Sequence, residues 1–181
     1  TNPFKINGYT SVVIQNEFIH GEIFFNINPK IDSWKADQLS IFNQVILRFI
    51  AKCPLKELSF GINWVEDSTS WTEHGPETGQ YLAGYLWNNS NNLVMIGTQD
   101  IDAYSQIEDD SALLPSRLNN LIEKELSKFI KVDLSSKGIA TNLFLIEKSE
   151  RYQVYFNIAS SNDPEDNEAA AFHACELGPQ L

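Results

Sequence analysis

The feature that most constrains the fold is a regular alternation of apolar and polar residues in short segments. It is clearest at residues 151–159, where apolar or aromatic side chains occupy every second position: Tyr152, Val154, Phe156 and Ile158. Successive side chains of a β-strand point to opposite faces of the sheet. This period of two therefore predicts a strand with one strongly apolar face.

Further segments rich in β-branched and aromatic residues predict more strands. They are residues 9–16, 18–27, 56–65, 80–87, 92–97 and 138–147. Short polar breaks separate several of them and predict hairpins. The predicted hairpins join 9–16 to 18–27, 80–87 to 92–97, and 138–147 to 151–159.

Two segments instead carry apolar residues at spacings of three and four, which is typical of an amphipathic helix. The first helix is predicted from Asp32 or Ser33 to about Lys52, with a stripe of Trp34, Leu39, Phe42, Val45, Ile46, Phe49 and Ile50. The second is predicted from Pro115 to about Lys131, with a stripe of Leu118, Leu121, Ile122, Leu126, Phe129 and Ile130. A short third helix is expected after Asp163 and Pro164, which suit the first positions of a helix.

These elements predict an α+β fold, built mainly on an antiparallel sheet of about seven strands in hairpins. Two long helices and a short C-terminal helix are expected to pack on one face of that sheet. A length of 181 residues suits one domain. We therefore expect residues 1–181 to form a single domain, with residues 160–181 as a tail that carries the short helix.

The formal net charge is −11, and the negative charge is segregated along the chain. Sixty residues between Lys56 and Arg117 contain no Lys or Arg but ten acids, and the thirty residues after Arg151 contain five acids and no base. Most of these acids fall in predicted loops or the tail, where binding surfaces are commonly built. A cationic partner is the electrostatic complement, whereas nucleic acid and anionic membranes are disfavoured.

The predicted partner-binding residues are nine of the ten acids of the base-free central stretch together with one tryptophan. They are Glu66, Asp67, Trp71, Glu73, Glu77, Asp100, Asp102, Glu108, Asp109 and Asp110. Trp71 is a possible aromatic anchor, because a large ring supplies contact area and stacks on Arg. The alternative is that Trp71 folds back onto the core.

No catalytic, phosphate-binding or metal-ligand motif is found, so we expect no enzyme activity, no cofactor and no metal. The leading hypothesis is an acidic binding protein of the bacterial immunity type. Such a protein would neutralise a basic toxin domain, for example a nuclease, by covering its nucleic-acid site. Two distant cysteines, Cys53 and Cys175, and the lack of a leader or membrane-spanning segment favour a cytoplasmic location.

Two alternatives stay open. The first is a hydrolase with a site near Glu73, His74 and Glu77, where two carboxylates flank a histidine. The second is a structural or adaptor subunit that docks through an exposed sheet edge or the tail helix.

Overall fold

Strands dominate the computed structural model of the chain, which describes residues 3–6, 9–29, 38–63, 71–79, 81–101, 103, 114–119 and 121–177. Within these residues the strands are β1 (Pro3–Ile6), β2 (Tyr9–Gln15), β3 (Ile19–Ile27), β4 (Ile41–Ala51), β5 (Leu55–Asn63), β6 (Glu73–Thr78), β7 (Leu82–Asn88), β8 (Leu93–Gln99), β9 (Ile130–Ser135), β10 (Gly138–Ile146) and β11 (Arg151–Ser161). The helices described are a 3-10 turn (Ser116–Leu118), the single-turn α1 (Glu123–Leu126) and the longer α2 (Pro164–Glu176).

The strands form two antiparallel sheets. The larger has eight strands in the order β1-β2-β3-β4-β11-β8-β7-β6, and the smaller has three in the order β5-β10-β9. The predicted hairpins β2–β3 and β7–β8 are confirmed, because each pair is antiparallel and adjacent. The C-terminal helix is also confirmed as α2.

Three layers result from the packing of these elements. One core lies between the two sheets, where Trp87 and Phe156 of the large sheet meet Leu143 of the small sheet. A second core lies on the opposite face of the large sheet, under α2. The large sheet is therefore covered on both faces at its centre.

The first long predicted helix is wrong over the residues that the structure describes. Residues 41–51 form β4, a central strand flanked by β3 and β11. Phe42 packs on the α2 side of the sheet, whereas Leu47 and Phe49 pack on the other side. A strand buried on both faces carries apolar residues without clean alternation, and such a pattern mimics helical spacing. The predicted start of that helix, at residues 32–33, lies outside the described residues.

The second long predicted helix is also wrong. Residues 115–131 contain the 3-10 turn and α1, and β9 begins at Ile130. The last two apolar residues of the predicted stripe belong elsewhere: Phe129 lies in a turn, and Ile130 is the first buried residue of β9. Five of the stripe's six predicted apolar residues belong to the core between the sheets, whereas Ile122 is exposed.

The predicted hairpin of residues 138–147 with 151–159 is wrong as a pairing, although both strands exist. β10 pairs with β5 and β9, whereas β11 pairs with β4 and β8. The four residues between them, 147–150, cross from one sheet to the other. Arg117 holds this crossing, since its side chain is ion-paired with Glu150 and its Nη2 donates to the carbonyl oxygen of Leu145 at 2.7 Å.

The predicted fold class is therefore corrected. The described residues contain eleven strands instead of about seven and no long helix other than α2. β1, β4, β6 and β9 arise in segments for which no strand is predicted from the sequence. A second sheet, and not a pair of long helices, covers one face of the large sheet.

Candidate partner-binding site

β6 forms one edge of the eight-stranded sheet and carries two of the predicted acidic residues, Glu73 and Glu77. Alternation along the strand places both on the same face as Gly75. Gly75 lies opposite Leu86 of β7, and Leu86 packs in the core under α2. Glu73 and Glu77 therefore lie on the face of the sheet that α2 covers.

The position of α2 on this face is fixed by close packing. Ala171, Ala174 and Cys175 are buried against the sheet. A Cβ added at Gly97 would lie 2.7 Å from the Cβ of Cys175, so the helix approaches the strand more closely than an added methyl group would allow. Small residues on both sides thus hold α2 near the sheet.

One side of α2 faces β6. Glu168, Phe172 and Glu176 recur at intervals of four residues and therefore lie along a single helix face. Glu168 is close enough to Glu77 to affect its charge, and the side chains of Phe172 and Glu176 lie against Gly79, just after β6. The helix consequently brings acids of the C-terminal segment to the edge strand.

A polar cleft of about 560 Å³ opens at this junction. Amide and hydroxyl side chains line it together with three carboxylates: Glu73, Asp163 and Glu168. Asp163 stands immediately before α2, but its side chain makes no capping hydrogen bond to the helix. We call Glu73, Glu77, Asp163, Glu168 and Glu176 the acidic edge.

The acidic edge is not neutralised by basic residues in the part of the chain that the structure describes. Nδ1 of His173 lies 3.5 Å from Oε2 of Glu176, and among the described residues no Lys or Arg lies within ion-pair distance of any of the five acids. Burial, and then the charge of Glu168, raise the pKa of Glu77. The second of these causes shows that Glu77 and Glu168 lie close enough for their charges to repel.

The other predicted partner-binding residues do not gather at this edge within the described structure. Asp100 directly follows β8, where its Oδ1 accepts a hydrogen bond from the backbone N–H of Ile101 at 2.6 Å. Trp71 is half-buried and packs against the core between the sheets. The remaining six lie outside the described residues: Glu66, Asp67, Asp102, Glu108, Asp109 and Asp110.

The histidine of the hydrolase hypothesis is directed away from its two carboxylates. His74 lies on the opposite face of β6 from Glu73 and Glu77, because neighbouring residues of a strand alternate. Its Nδ1 lies 2.9 Å from the hydroxyl oxygen of Tyr85, and the two rings stack. The three side chains therefore do not converge on a common point.

Three residues of the acidic edge are absent from the set predicted from the sequence: Asp163, Glu168 and Glu176. The signal for them was present in the base-free stretch after Arg151. What the sequence lacked was the contact between α2 and β6, which joins two distant segments.

No three His, Cys, Asp or Glu side chains among the described residues are grouped so as to hold a metal ion. Both cysteines are free thiols. In the described ranges, helices of the length and apolar character needed to cross a bilayer are absent.

No protein-family model matches the chain, and no curated protein matches it. Among solved structures, the chain is similar to a protein described as a kojibiose phosphorylase, from the human microbiome, at 11% sequence identity and a TM-score of 0.43. The likeness covers 94% of this chain and 21% of that one, so the chain spans about a fifth of that protein's length. At this TM-score the likeness carries no argument about fold or activity.

Proposed function

We propose that the chain is a binding protein that docks a cationic surface of another protein on its acidic edge. The observation that supports this is the convergence of carboxylates from two distant segments, β6 and the region of α2, without a Lys or Arg partner in the described residues. Clustered like charges repel, and a cationic partner relieves that repulsion. Docking of a cationic protein would therefore lower the electrostatic free energy of the acidic edge.

The specific form of this function is an inhibitor of the immunity type. A carboxylate array can occupy the phosphate-binding surface of a basic toxin domain and increase the rate of association. The polar cleft suits an inserted Lys or Arg side chain, because Glu73, Asp163 and Glu168 surround it with acceptors. This form includes a cytoplasmic location, where the toxin would act.

A direct test uses an oligolysine peptide as the probe and measures its dissociation constant by calorimetry at low salt. The test variant combines Glu73→Gln with Glu168→Gln, both in the polar cleft. The matched control combines Glu57→Gln with Glu125→Gln, which are exposed and lie elsewhere on the surface. Both variants change the net charge equally, so only the location differs.

We expect the cleft variant to weaken binding by roughly two- to thirtyfold, since each exposed ion pair contributes about 0.2–1 kcal/mol. The control is expected to bind nearly as well as the parent chain. Equal losses in the two variants would show that net charge alone attracts the peptide, and the acidic edge would lose its role.

The inhibitor form has its own test. The product of a neighbouring toxin-like reading frame is mixed with the chain at equal concentrations, and its nuclease activity is followed. Inhibition that the cleft variant loses and the control keeps supports the proposal. Undiminished nuclease activity in the presence of the parent chain contradicts the inhibitor form.

A further inference from the structure

A second cleft opens on the same face of the large sheet, across β2, β3, β4 and β11. Its volume is about 530 Å³, and its side chains include Val13, His20, Glu22, Arg48, Ile50 and Arg151. β8 and β7 separate β11 from the edge strand β6. This cleft is therefore distinct from the acidic edge.

Strand register explains why basic side chains meet here. Glu22, Arg48 and Gln153 form one row across β3, β4 and β11, and His20, Ile50 and Arg151 form the next row. His20 and Arg151 are thus the diagonal neighbours of Arg48 on either side of Ile50. Diagonal neighbours on one face lie about 7–8 Å apart, within reach of long side chains.

The guanidinium of Arg48 is held in one orientation. Its Nε donates to Oε1 of Gln153 at 2.5 Å, and Gln153 is buried. Its Cζ lies 5.6 Å from the centre of the Phe24 ring, a distance typical of a cation–π contact. With Nε engaged, the two terminal amino groups stay available as a planar fork for an acceptor.

Arg48 and Arg151 form no ion pair with a carboxylate in the part of the chain described by the structure. Glu22, the cross-strand neighbour of Arg48, instead accepts a hydrogen bond from the Ser11 hydroxyl at 2.5 Å. The chain has three arginines, and in contrast Arg117 pairs with two glutamates. In a protein of net charge −11, two arginines in one cleft that have no ion pair among the described residues point to an external anion.

We propose that this cleft binds a small organic monocarboxylate. The carboxylate pairs with the terminal amino groups of Arg48, and Arg151 and His20 supply further contacts from either side. An apolar part of the ligand lies on Val13 and Ile50. A dianion such as a phosphate monoester is less favoured, because the carboxylate of Glu22 lines the same cleft and repels the second negative charge.

The test compares three probes that share a phenyl ring: benzoate, phenyl phosphate and neutral benzamide. Binding is followed by NMR, with the Nε–Hε resonance of Arg48 as the local reporter. We expect benzoate to shift that resonance and to bind most tightly. Tighter binding of phenyl phosphate would overturn the carboxylate assignment, and equal binding of benzamide would overturn an anion site altogether.

Variants locate the site. Arg48→Gln and, separately, Arg151→Gln are compared with Lys128→Gln, which removes one positive charge at an exposed position far along the chain. Both arginine side chains are exposed, so folding should survive. We expect Arg48→Gln to weaken benzoate binding by roughly tenfold or more, since a bidentate charge-assisted pair is lost.

An equal loss of benzoate binding in Lys128→Gln would contradict the proposal, because it would show a response to net charge alone. The acidic-edge variant Glu73→Gln with Glu168→Gln is expected to leave benzoate binding intact. The two binding functions can therefore fail separately.

Discussion

Asn157 of β11 holds the carbonyl oxygen that follows α2: its Nδ2 donates to the backbone oxygen of Leu177 at 2.7 Å. The same Nδ2 lies 2.9 Å from the oxygen of Cys175. Gln44 of β4 completes the arrangement, because its Nε2 donates to Oδ1 of Asn157 at 2.8 Å. The last carbonyls of a helix have no partner within it, so this fully buried amide caps α2 and ties it to the sheet.

Replacing Asn157 with Ala should destabilise the protein by about 2–4 kcal/mol. The substitution removes the acceptor of the Gln44 amide and the donor to the last carbonyls of α2, and losing a partner in a buried position costs about 1–3 kcal/mol. Urea unfolding measures the loss, and hydrogen exchange should show faster exchange in α2. The control is Asn162→Ala at an exposed position, expected within about 0.5 kcal/mol of the parent. Equal unfolding midpoints for the two variants would show that the cap contributes nothing.

Gly97→Ala should destabilise the protein by about 1–3 kcal/mol, as overpacking of a core typically does. The new Cβ would lie 2.5 Å from Cδ1 of Leu82 and 2.7 Å from Cβ of Cys175, so α2 must move outward. The matched control is Gly75→Ala, whose Cβ would meet nothing within 4 Å. Thermal or urea unfolding compares them. If Gly75→Ala proves as costly as Gly97→Ala, the close approach of α2 is not the cause.

The sequence predicts strands best where they are at most nine residues long and joined by a brief polar turn. β2, β3, β7 and β8 are such strands, so both their positions and their pairings are predicted, even though nearly every residue of β7 and β8 is buried. β4 fails because it is eleven residues long and buried on both faces. Apolar residues at spacings of three and four then follow from two buried faces, and local pattern cannot separate this from a helix.

Pairing between distant strands is the part that local pattern does not encode. β10 and β11 are adjacent in sequence, yet β10 lies opposite β5, with Gly138 paired to Asn63. The short connection suits a hairpin as well as it suits a crossing between sheets. Tertiary contacts of Arg117 with Glu150 and Leu145 stabilise the observed crossing, and such contacts are not visible as a local pattern.

Only part of the candidate site is predicted from the sequence, because contacts between distant segments do not appear in the local pattern. Glu73 and Glu77 are recognised because they lie in a stretch without bases. Glu168 and Glu176 join the acidic edge only because α2 packs beside β6, and that packing is not visible in the sequence. Arg48 was placed in a predicted helix, and its diagonal relationship to His20 and Arg151 exists only in the register of β3, β4 and β11.

Glu150→Gln should lower stability at pH 7 by about 1–2 kcal/mol, as expected for lost hydrogen bonds to a charged group near the surface. Burial acts to raise the pKa of Glu150, but hydrogen bonds from Arg117 and the Glu147 backbone outweigh it, so the pKa is lowered below the usual 4.5. A lowered folded-state pKa gives stability above the usual value that is lost on acidification. The difference between parent and variant should therefore shrink as pH falls below 4.5.

The control for Glu150 is Glu147→Gln. Glu147 approaches the same arginine, at 3.8 Å, but its side chain is 70% exposed against 11% for Glu150. Removing its charge should lower the free energy of unfolding, measured with urea at pH 7, much less than Glu150→Gln does. Equal costs for the two variants would mean that burial and hydrogen bonding of Glu150 do not matter.

Glu77→Gln should raise the stability of the protein at pH 7, whereas Glu150→Gln should lower it. Burial and the charge of Glu168 raise the pKa of Glu77 above 4.5, so the charged form is less stable in the folded protein. Stability linked to this group is fully present below the usual pKa and is lost as pH rises through the raised value. The variant should be slightly more stable than the parent at pH 7, and the advantage should vanish at low pH. An advantage for the variant that persists in acid would contradict the charge argument.

Pro76 should keep the acidic edge free of strand pairing with a second molecule. Gly79 donates its N–H to Leu82 of β7 at 2.9 Å, and alternation then directs the nitrogen of residue 76 toward the open edge. Proline there presents no donor to an added strand.

Pro76→Thr supplies that donor. Sedimentation of this variant should show dimers at high protein concentration, and more of them in salt that screens the charges of Glu73 and Glu77. Thr78→Val on the same strand adds no donor and should sediment as the parent does, whereas dimers in both variants would point to β-propensity alone.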